Sequence, residues 1–144
     1  ARRWVLETDP MKLAIAAGAT FVARTSHSNP NHLLEMMDLA MDHDGFGYIE
    51  CLSECTEFYK GAFDASNPRK GGKYPLVPED HDVTDESAAY ELSGEDFPGR
   101  FGLFYQVQRP TKNALEVRVS DDAKAKFEGK QDWEILQTNF NRMK

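Results

Sequence analysis

The sequence lacks most of the features that readily give a function away. It has no run of 18 apolar residues, so no transmembrane helix is expected. It contains no G-x-G-x-x-G and no P-loop, so neither nucleotide fingerprint is available. Cysteine is scarce: Cys51 and Cys55 are the only two in 144 residues, too few for a disulfide framework. A reducing, cytoplasmic setting is expected, where free thiols serve as core residues, metal ligands or nucleophiles. Positive charge is also short, with 17 Lys and Arg against 24 Asp and Glu and a net charge of −7. That excludes the basic surface a nucleic-acid partner needs. The one small basic cluster, Arg69, Lys70 and Lys73, lies in a Gly-rich stretch and reads as a solvated loop. The N-terminus, Ala1-Arg-Arg-Trp-Val-Leu-Glu7, is too short in its apolar part for a signal peptide. It also lacks an initiator Met, as a piece of a longer chain would.

The histidines are equally unpatterned. His27, His32, His43 and His81 show no zinc-motif spacing, and each is expected at the surface. Asp80-His81-Asp82 reads as a solvated loop rather than a cation site. Ser26 beside His27 makes no triad, because no nucleophile elbow surrounds it.

What is present has a clear order. A chain of this length is expected to form one domain, and a domain of about 150 residues buries roughly 70% of its unfolded surface. Asp9-Pro10 opens a helix, with Asp as cap and Pro at the first position, and Gly18 closes it. So apolar and short a helix is expected to be well buried. Ala19–Arg24 follows as a strand. Ser28 or Asn29 then caps a second helix with Pro30 at its first position. Leu33, Leu34, Met37, Ala40 and Met41 form its apolar stripe, and Gly45 ends it. Phe46–Leu52 is a second strand. Helix, strand, helix, strand with tight turns predicts an α/β fold with a parallel sheet, a right-handed crossover and strands covered on both faces. Residues 59–100 are rich in Gly, Pro and acids and read as a long surface excursion with one short helix near Ser87–Leu92. Gly102–Val107 is a third strand, and helices are expected around Asp121–Glu128 and Trp133–Asn141.

The two thiols differ in position. Cys51 falls within the second strand and reads as a small buried residue. Cys55 falls beyond the strand's end, among Ser53, Glu54, Thr56 and Glu57, so the pair is not expected to share one metal. Open α/β sheets bind ligands outside the carboxyl ends of their strands, where Cys55 lies. From the residues alone, the reading stops at an α/β domain with a thiol at a strand end.

A family resemblance extends it. Asp9-Pro10, Leu13-Ala14 and Ala17–Arg24 resemble the segment that follows the thiamine diphosphate site in β subunits of 2-oxoacid:ferredoxin oxidoreductases. The likeness continues in order through Pro30, His32-Leu33, Gly45-Phe46 and Leu52-Ser53-Glu54-Cys55. It runs on through Pro78–Asp82, Ala88-Ala89, Gly102–Tyr105 and Arg109–Thr111. The family writes Ser-Pro-Cys where this chain has Ser-Glu-Cys.

The resemblance implies an enzyme that decarboxylates a 2-oxoacid on thiamine diphosphate with Mg²⁺. It passes electrons through a [4Fe–4S] cluster to ferredoxin and the acyl group to coenzyme A. It implies 2-oxoglutarate as substrate, with pyruvate the alternative. Cys55 matches the fourth cluster ligand, and Cys51 matches none. The Gly-Asp-Gly…Asn segment and the other three cysteines are absent from this sequence. The chain therefore resembles the C-terminal half of a β subunit, with an α subunit and the N-terminal part of the β subunit as partners. Residues 1–58 then correspond to the second half of a thiamine diphosphate-binding α/β domain, and 59–144 to a C-terminal extension. Glu54 in place of Pro adds a carboxylate beside the cluster, which is expected to lower its potential. Two rival readings remain: a non-catalytic assembly module whose 59–100 excursion wraps a partner, and a thiamine-dependent enzyme without a cluster.

Overall fold

The computed structural model describes residues 9–143, so the N-terminal stretch weighed as a signal peptide lies outside it. The chain divides into two compact units that meet at Arg109 and Pro110.

The first unit is built on three strands, β1 (Phe21–Ser26), β2 (Gly47–Leu52) and β3 (Gly102–Gln106), in the order β2-β1-β3. β1 and β2 are parallel, with Phe21 opposite Gly47 and Ser26 opposite Leu52. The crossover between them is helix α2 (Pro30–Met41). β3 runs antiparallel to β1, so the sheet is mixed rather than wholly parallel. β3 reaches β1 after a loop-rich excursion and so is free of the crossover geometry that keeps β1 and β2 parallel.

Local chemistry explains the helix starts. Asp9 caps helix α1 (Pro10–Ala16), its Oδ1 accepting from the N–H groups of Met11 and Lys12 at 3.0 and 3.2 Å. Asn29 caps α2, accepting from His32 N–H at 3.4 Å. Gly18 turns the chain out of α1 with φ +87°, a conformation that suits a residue without Cβ. Both caps fall where the sequence places them. α1 is only half buried, however: Met11 and Ile15 face inward while Leu13 is 60% exposed. β1 starts and ends two residues later than the sequence suggests.

Two apolar clusters hold the sheet. On one face, Met11, Ala14 and Ile15 of α1 meet Val22, Phe104, Tyr105 and Ala89 of α3 (Glu86–Ser93). On the other, Met36 of α2 packs on Phe21 and Ala23. The inward stripe of α2 is therefore His32, Met36 and Ala40, and Leu34, Met37 and Met41 are exposed. The stripe read from the sequence is shifted because α2 is apolar on more than one side, and only one side meets this sheet. The 59–100 excursion is not purely superficial either. Phe63, Ala89, Ser93 and, just past it, Phe101 are buried.

The second unit holds α4 (Lys112–Lys126) and α5 (Asp132–Arg142). α4 starts nine residues before the helix expected at Asp121, because Thr111 supplies a cap whose Oγ1 accepts from Ala114 N–H at 3.2 Å. A capping box between Gln131 and Glu134 starts α5. Neither helix buries a residue, and α5 carries Trp133, Leu136 and Phe140 exposed. Among the described residues no helix is long and apolar enough to cross a membrane.

The core assignment has a measurable consequence. Phe104 is fully buried and Phe58 is 94% exposed. Phe104→Ala is expected to cost about 3–5 kcal/mol of unfolding free energy, and Phe58→Ala no more than about 0.5 kcal/mol, in urea titrations followed by circular dichroism.

Candidate functional site at the carboxyl edge of the sheet

Because β1 and β2 are parallel and in register, both end on the same edge, at Ser26 and Leu52. The chain beyond each strand stays close: His27 N–H donates to Leu52 O at 3.0 Å. Cys55 lies three residues past β2, on an exposed tight turn closed by Tyr59 N–H donating to Cys55 O at 3.0 Å.

The backbone N–H groups of Phe58, Glu57 and Tyr59 lower the pKa of the Cys55 thiol from the ordinary 9.0, a shift that slight desolvation opposes only in part. Cys51 is the opposite case. Partial burial, with no donors, pushes its thiol up from 9.0. It is nonetheless exposed, not buried as the sequence suggests, because among the described residues β2 is an edge strand with no strand on its outer side.

Glu54 does not stand free beside Cys55. Its Oε2 accepts the Gly61 N–H at 3.0 Å, tying the two ends of the turn together. Gly61 sits at φ +73° with Asp64 close to where a Cβ would be, so the position suits glycine. A ring chain runs from this turn back to β1. Tyr59 stacks on Phe97 with centroids 6.5 Å apart, Phe97 meets Phe63 at 5.2 Å, and Phe63 meets His27 edge-on at 5.7 Å.

Two further groups near this edge escaped the sequence reading. Thr25 Oγ1 and Tyr74 OH lie 2.9 and 3.2 Å from His32 Nδ1, and Tyr74 OH accepts from Ser26 N–H at 3.1 Å. His32 is buried, and desolvation lowers its pKa, opposed by the nearby Glu35. Arg24 and Glu50 form a buried ion pair across β1 and β2, and Arg24 also donates to Ser93 O. They line an open cleft of about 470 Å³ with Asp9, Lys12 and Phe97. The Arg24–Glu50 pair required knowledge of the strand register, which no local motif carries. His43 is buried too, its Nε2 2.8 Å from Thr20 Oγ1. So two of the four histidines are interior, each with one ring nitrogen beside a threonine hydroxyl, while His43 Nδ1 is buried without a hydrogen-bond partner.

The remaining candidates are structural. His81 Nε2 meets Phe104 O of β3 at 2.8 Å and Asp82 accepts from Thr84, so His81 ties the loop to the sheet and Asp82 caps its own turn. Gly71 and Gly72 make a turn. Among the described residues no three His, Cys, Asp or Glu side chains converge on a metal position. The chemistry on offer is thus one accessible thiol of lowered pKa on a hydrogen-bonded turn.

No protein-family model matches the chain. It is 30% identical over 115 residues to the 2-oxoglutarate oxidoreductase subunit KorB of Mycobacterium tuberculosis, covering 80% of this chain and 30% of that subunit. It is 32% identical over 104 residues to the 2-oxoglutarate synthase subunit KorB of Methanocaldococcus jannaschii, covering 71% and 37%. It is 30% identical over 122 residues to the β subunit of 2-oxoacid:ferredoxin oxidoreductase 1 of Aeropyrum pernix, covering 78% and 37%. A solved 2-oxoglutarate:ferredoxin oxidoreductase from Magnetococcus marinus, with 2-oxoglutarate, coenzyme A and succinyl-CoA bound, superposes with a TM-score of 0.71 at 26% identity. That match covers 91% of this chain and 44% of the other. The chain spans about a third of the length of these curated relatives.

Two outcomes follow from the titrating groups. The thiolate is the nucleophile, so alkylation of Cys55 by iodoacetamide should reach half its maximal rate below pH 9.0, and that of Cys51 above it, as read by peptide mass spectrometry. Equal midpoints would refute the donor turn. For His32 the folded pKa lies below 6.5, so the neutral ring is the one that folding favours. Its contribution is complete above pH 6.5 and is lost as pH falls through the depressed folded value. Melting temperatures of the wild type should therefore drop on acidification more steeply than those of His32→Gln.

Proposed function

This chain belongs to the β-subunit family of the 2-oxoacid:ferredoxin oxidoreductases, of whose members' length it spans about a third, and we propose that it contributes one thiolate, Cys55, to the [4Fe–4S] cluster of such an enzyme. The observation that carries this reading is the turn at Cys55. An iron–sulfur ligand must be a thiolate, accessible and supported by hydrogen bonds to sulfur. Cys55 is exposed just past the end of β2, and the backbone N–H groups of Phe58, Glu57 and Tyr59 lower its pKa. The residues present fit one corner of a cluster and no more. The other thiolates belong to parts of the subunit outside the described residues.

The overall reaction would convert 2-oxoglutarate and coenzyme A to succinyl-CoA, carbon dioxide and two electrons, handed one at a time to ferredoxin in the cytoplasm. 2-Oxoglutarate is favoured over pyruvate because two relatives and the solved neighbour carry its name. The cluster supplies one-electron transfer, and thiamine diphosphate with Mg²⁺ supplies the carbon chemistry. No residue described here fits the diphosphate or its metal, so both would be held by the N-terminal part of the β subunit, working with an α subunit.

This chain's own residues perform positioning. The Glu54–Gly61 bond fixes the turn that presents Cys55. The rings of Tyr59, Phe97 and Phe63 link that turn to the end of β1. In this frame residues 1–58 serve the cofactor-binding domain and 59–144 its extension.

Reconstitution with the partner chains provides the test. Reduced samples should give the electron paramagnetic resonance signal of a [4Fe–4S] cluster, and Cys55→Ala should lose it or leave a three-iron species. A full signal in Cys55→Ala would sink the assignment.

A further inference from the structure

Positive charge is unevenly spread along this acidic chain. Between Arg24 and Arg100 the only Lys and Arg residues are Lys60, Arg69, Lys70 and Lys73. All four are exposed, and Asp64 is the one acid among residues 60–73 of a chain whose net charge is −7. Other cations of the first unit are matched by carboxylates: Lys12 by Asp9, Arg24 by Glu50, Arg100 by Glu95 and Arg109 by Glu86. The basic cluster is therefore a local reversal of sign, and the cluster reading of Cys55 leaves it without a role.

The segment that carries it is folded by its own hydrogen bonds. Two short 3-10 turns, Asp64–Ser66 and Pro68–Lys70, meet at Asn67, whose Oδ1 accepts from Arg69 N–H at 3.0 Å. The N–H groups of Gly72 and Lys73 donate back to Asn67 O and Ala65 O at 2.9 and 3.0 Å. A Cβ on Gly72 would lie 2.5 Å from Ala65 O, so the loop closes on a glycine. Phe63 is buried and anchors the loop against Phe97 and His27. A series of bonds ties this loop to the Cys55 turn. Glu54 accepts the Gly61 N–H, Gly61 O accepts the Asp64 N–H at 3.1 Å, and Asp64 holds Lys70 at 2.5 Å. On the turn itself Phe58 is 94% exposed, and Tyr59 next to it is exposed too. A projecting aromatic three residues past the thiol and a basic rim on the adjoining loop make one surface.

We propose that this surface docks the electron acceptor, a small protein with an acidic face, with Phe58 at the centre of the contact and Lys60, Arg69, Lys70 and Lys73 around it. This rests on the cluster reading of Cys55 above. Electron transfer between proteins falls off steeply with distance, so the acceptor must rest against the surface next to the cluster. Each encounter moves one electron from the reduced cluster to the acceptor, and two encounters complete a turnover. Opposite charge steers such encounters and sets their orientation, adding more to the on-rate than to the affinity. That suits a carrier that arrives, takes one electron and leaves, through a small contact. The exposed ring supplies the apolar centre and the cations the polar rim that protein interfaces share. A loop already held by its own bonds loses little freedom on docking. Coenzyme A is the other anion of the proposed reaction. Small ligands are held in concave sites, whereas these cations are exposed along a loop beside a projecting ring.

The test compares the assembled enzyme with two variants, one combining Lys60→Glu, Arg69→Glu and Lys73→Glu, the other Phe58→Ala. Lys70 stays in place because it holds Asp64. Binding of an acidic ferredoxin is read by calorimetry at low and high salt, and reduction of ferredoxin and of methyl viologen by absorbance. The triple reversal is expected to weaken ferredoxin binding at low salt by at least about tenfold and to remove most of its salt dependence. Phe58→Ala should weaken binding too, yet keep the salt dependence. Viologen is small enough to need no docking, so its reduction and the paramagnetic signal of the cluster should match the wild type in both. Wild-type ferredoxin affinity in the triple variant would overturn the proposal. So would loss of viologen reduction in step with ferredoxin reduction, or an effect confined to the KM for coenzyme A. A triple variant that is folded by circular dichroism but no longer assembles would give the loop to a neighbouring subunit and overturn it as well. Failure of the cluster reading is separate: a full cluster signal in Cys55→Ala removes that reading, while calorimetry on the triple variant still decides where ferredoxin docks.

Discussion

The parallel pairing of Phe21–Ser26 with Gly47–Leu52 is the constraint on which the rest depends. It forces a crossover, and α2 is that crossover. It also brings two strand ends to one edge, so the loops after Ser26 and Leu52 must run side by side. His27 N–H bonded to Leu52 O is the direct product. The placement of Cys55 is a consequence of the sheet, because the turn that carries it starts from a strand whose end is fixed. Antiparallel pairing would send the loop after β2 to the opposite edge from Ser26 and His27. The buried Arg24–Glu50 pair depends on the same register. One residue of slip would turn one partner to the α2 face and leave a buried charge alone.

The turn at Cys55 resolves an apparent conflict between charge and chemistry. A carboxylate next to a thiol should oppose its ionisation, and the sequence places Glu54 immediately before Cys55. In the folded chain Glu54 accepts from Gly61 N–H, while the backbone N–H groups of Phe58, Glu57 and Tyr59 lower the pKa of the thiol. Where the family writes proline, rigidity comes from a ring that fixes φ. Here a hydrogen bond closes the turn, and it carries a negative charge that proline would not.

What could be read in advance divides along physical lines. Caps were legible because they are local: Asp9 and Asn29 act within three residues of themselves. The order of helices and strands was legible for the same reason. The direction of β3 was not, since it is decided by the 49 residues between β2 and β3, mostly loop, whose path no periodicity encodes. Burial was misread wherever it depends on neighbours. Cys51 has the apolar character of an interior residue and lies on an open edge, while His32 and His43 are polar and lie inside with Thr25 and Thr20. The start of α4 was missed because its sequence is polar all round, so only the Thr111 cap marks it. Of the candidate site, the position of Cys55 was legible, and its three donors were not, because backbone N–H groups carry no residue signature.

Among the apolar residues that lie exposed, one group is contiguous, and that is informative. Leu34, Met37, Met41 and Cys51 have interior chemistry and exposed positions, and they adjoin one another at one side of one sheet. Random misjudgement would scatter them. Exposed apolar residues are ordinary singly and meaningful when contiguous. The pattern marks one side of β2 as the place where interior chemistry meets open surface, and Cys55 stands on the turn beyond the same strand's end.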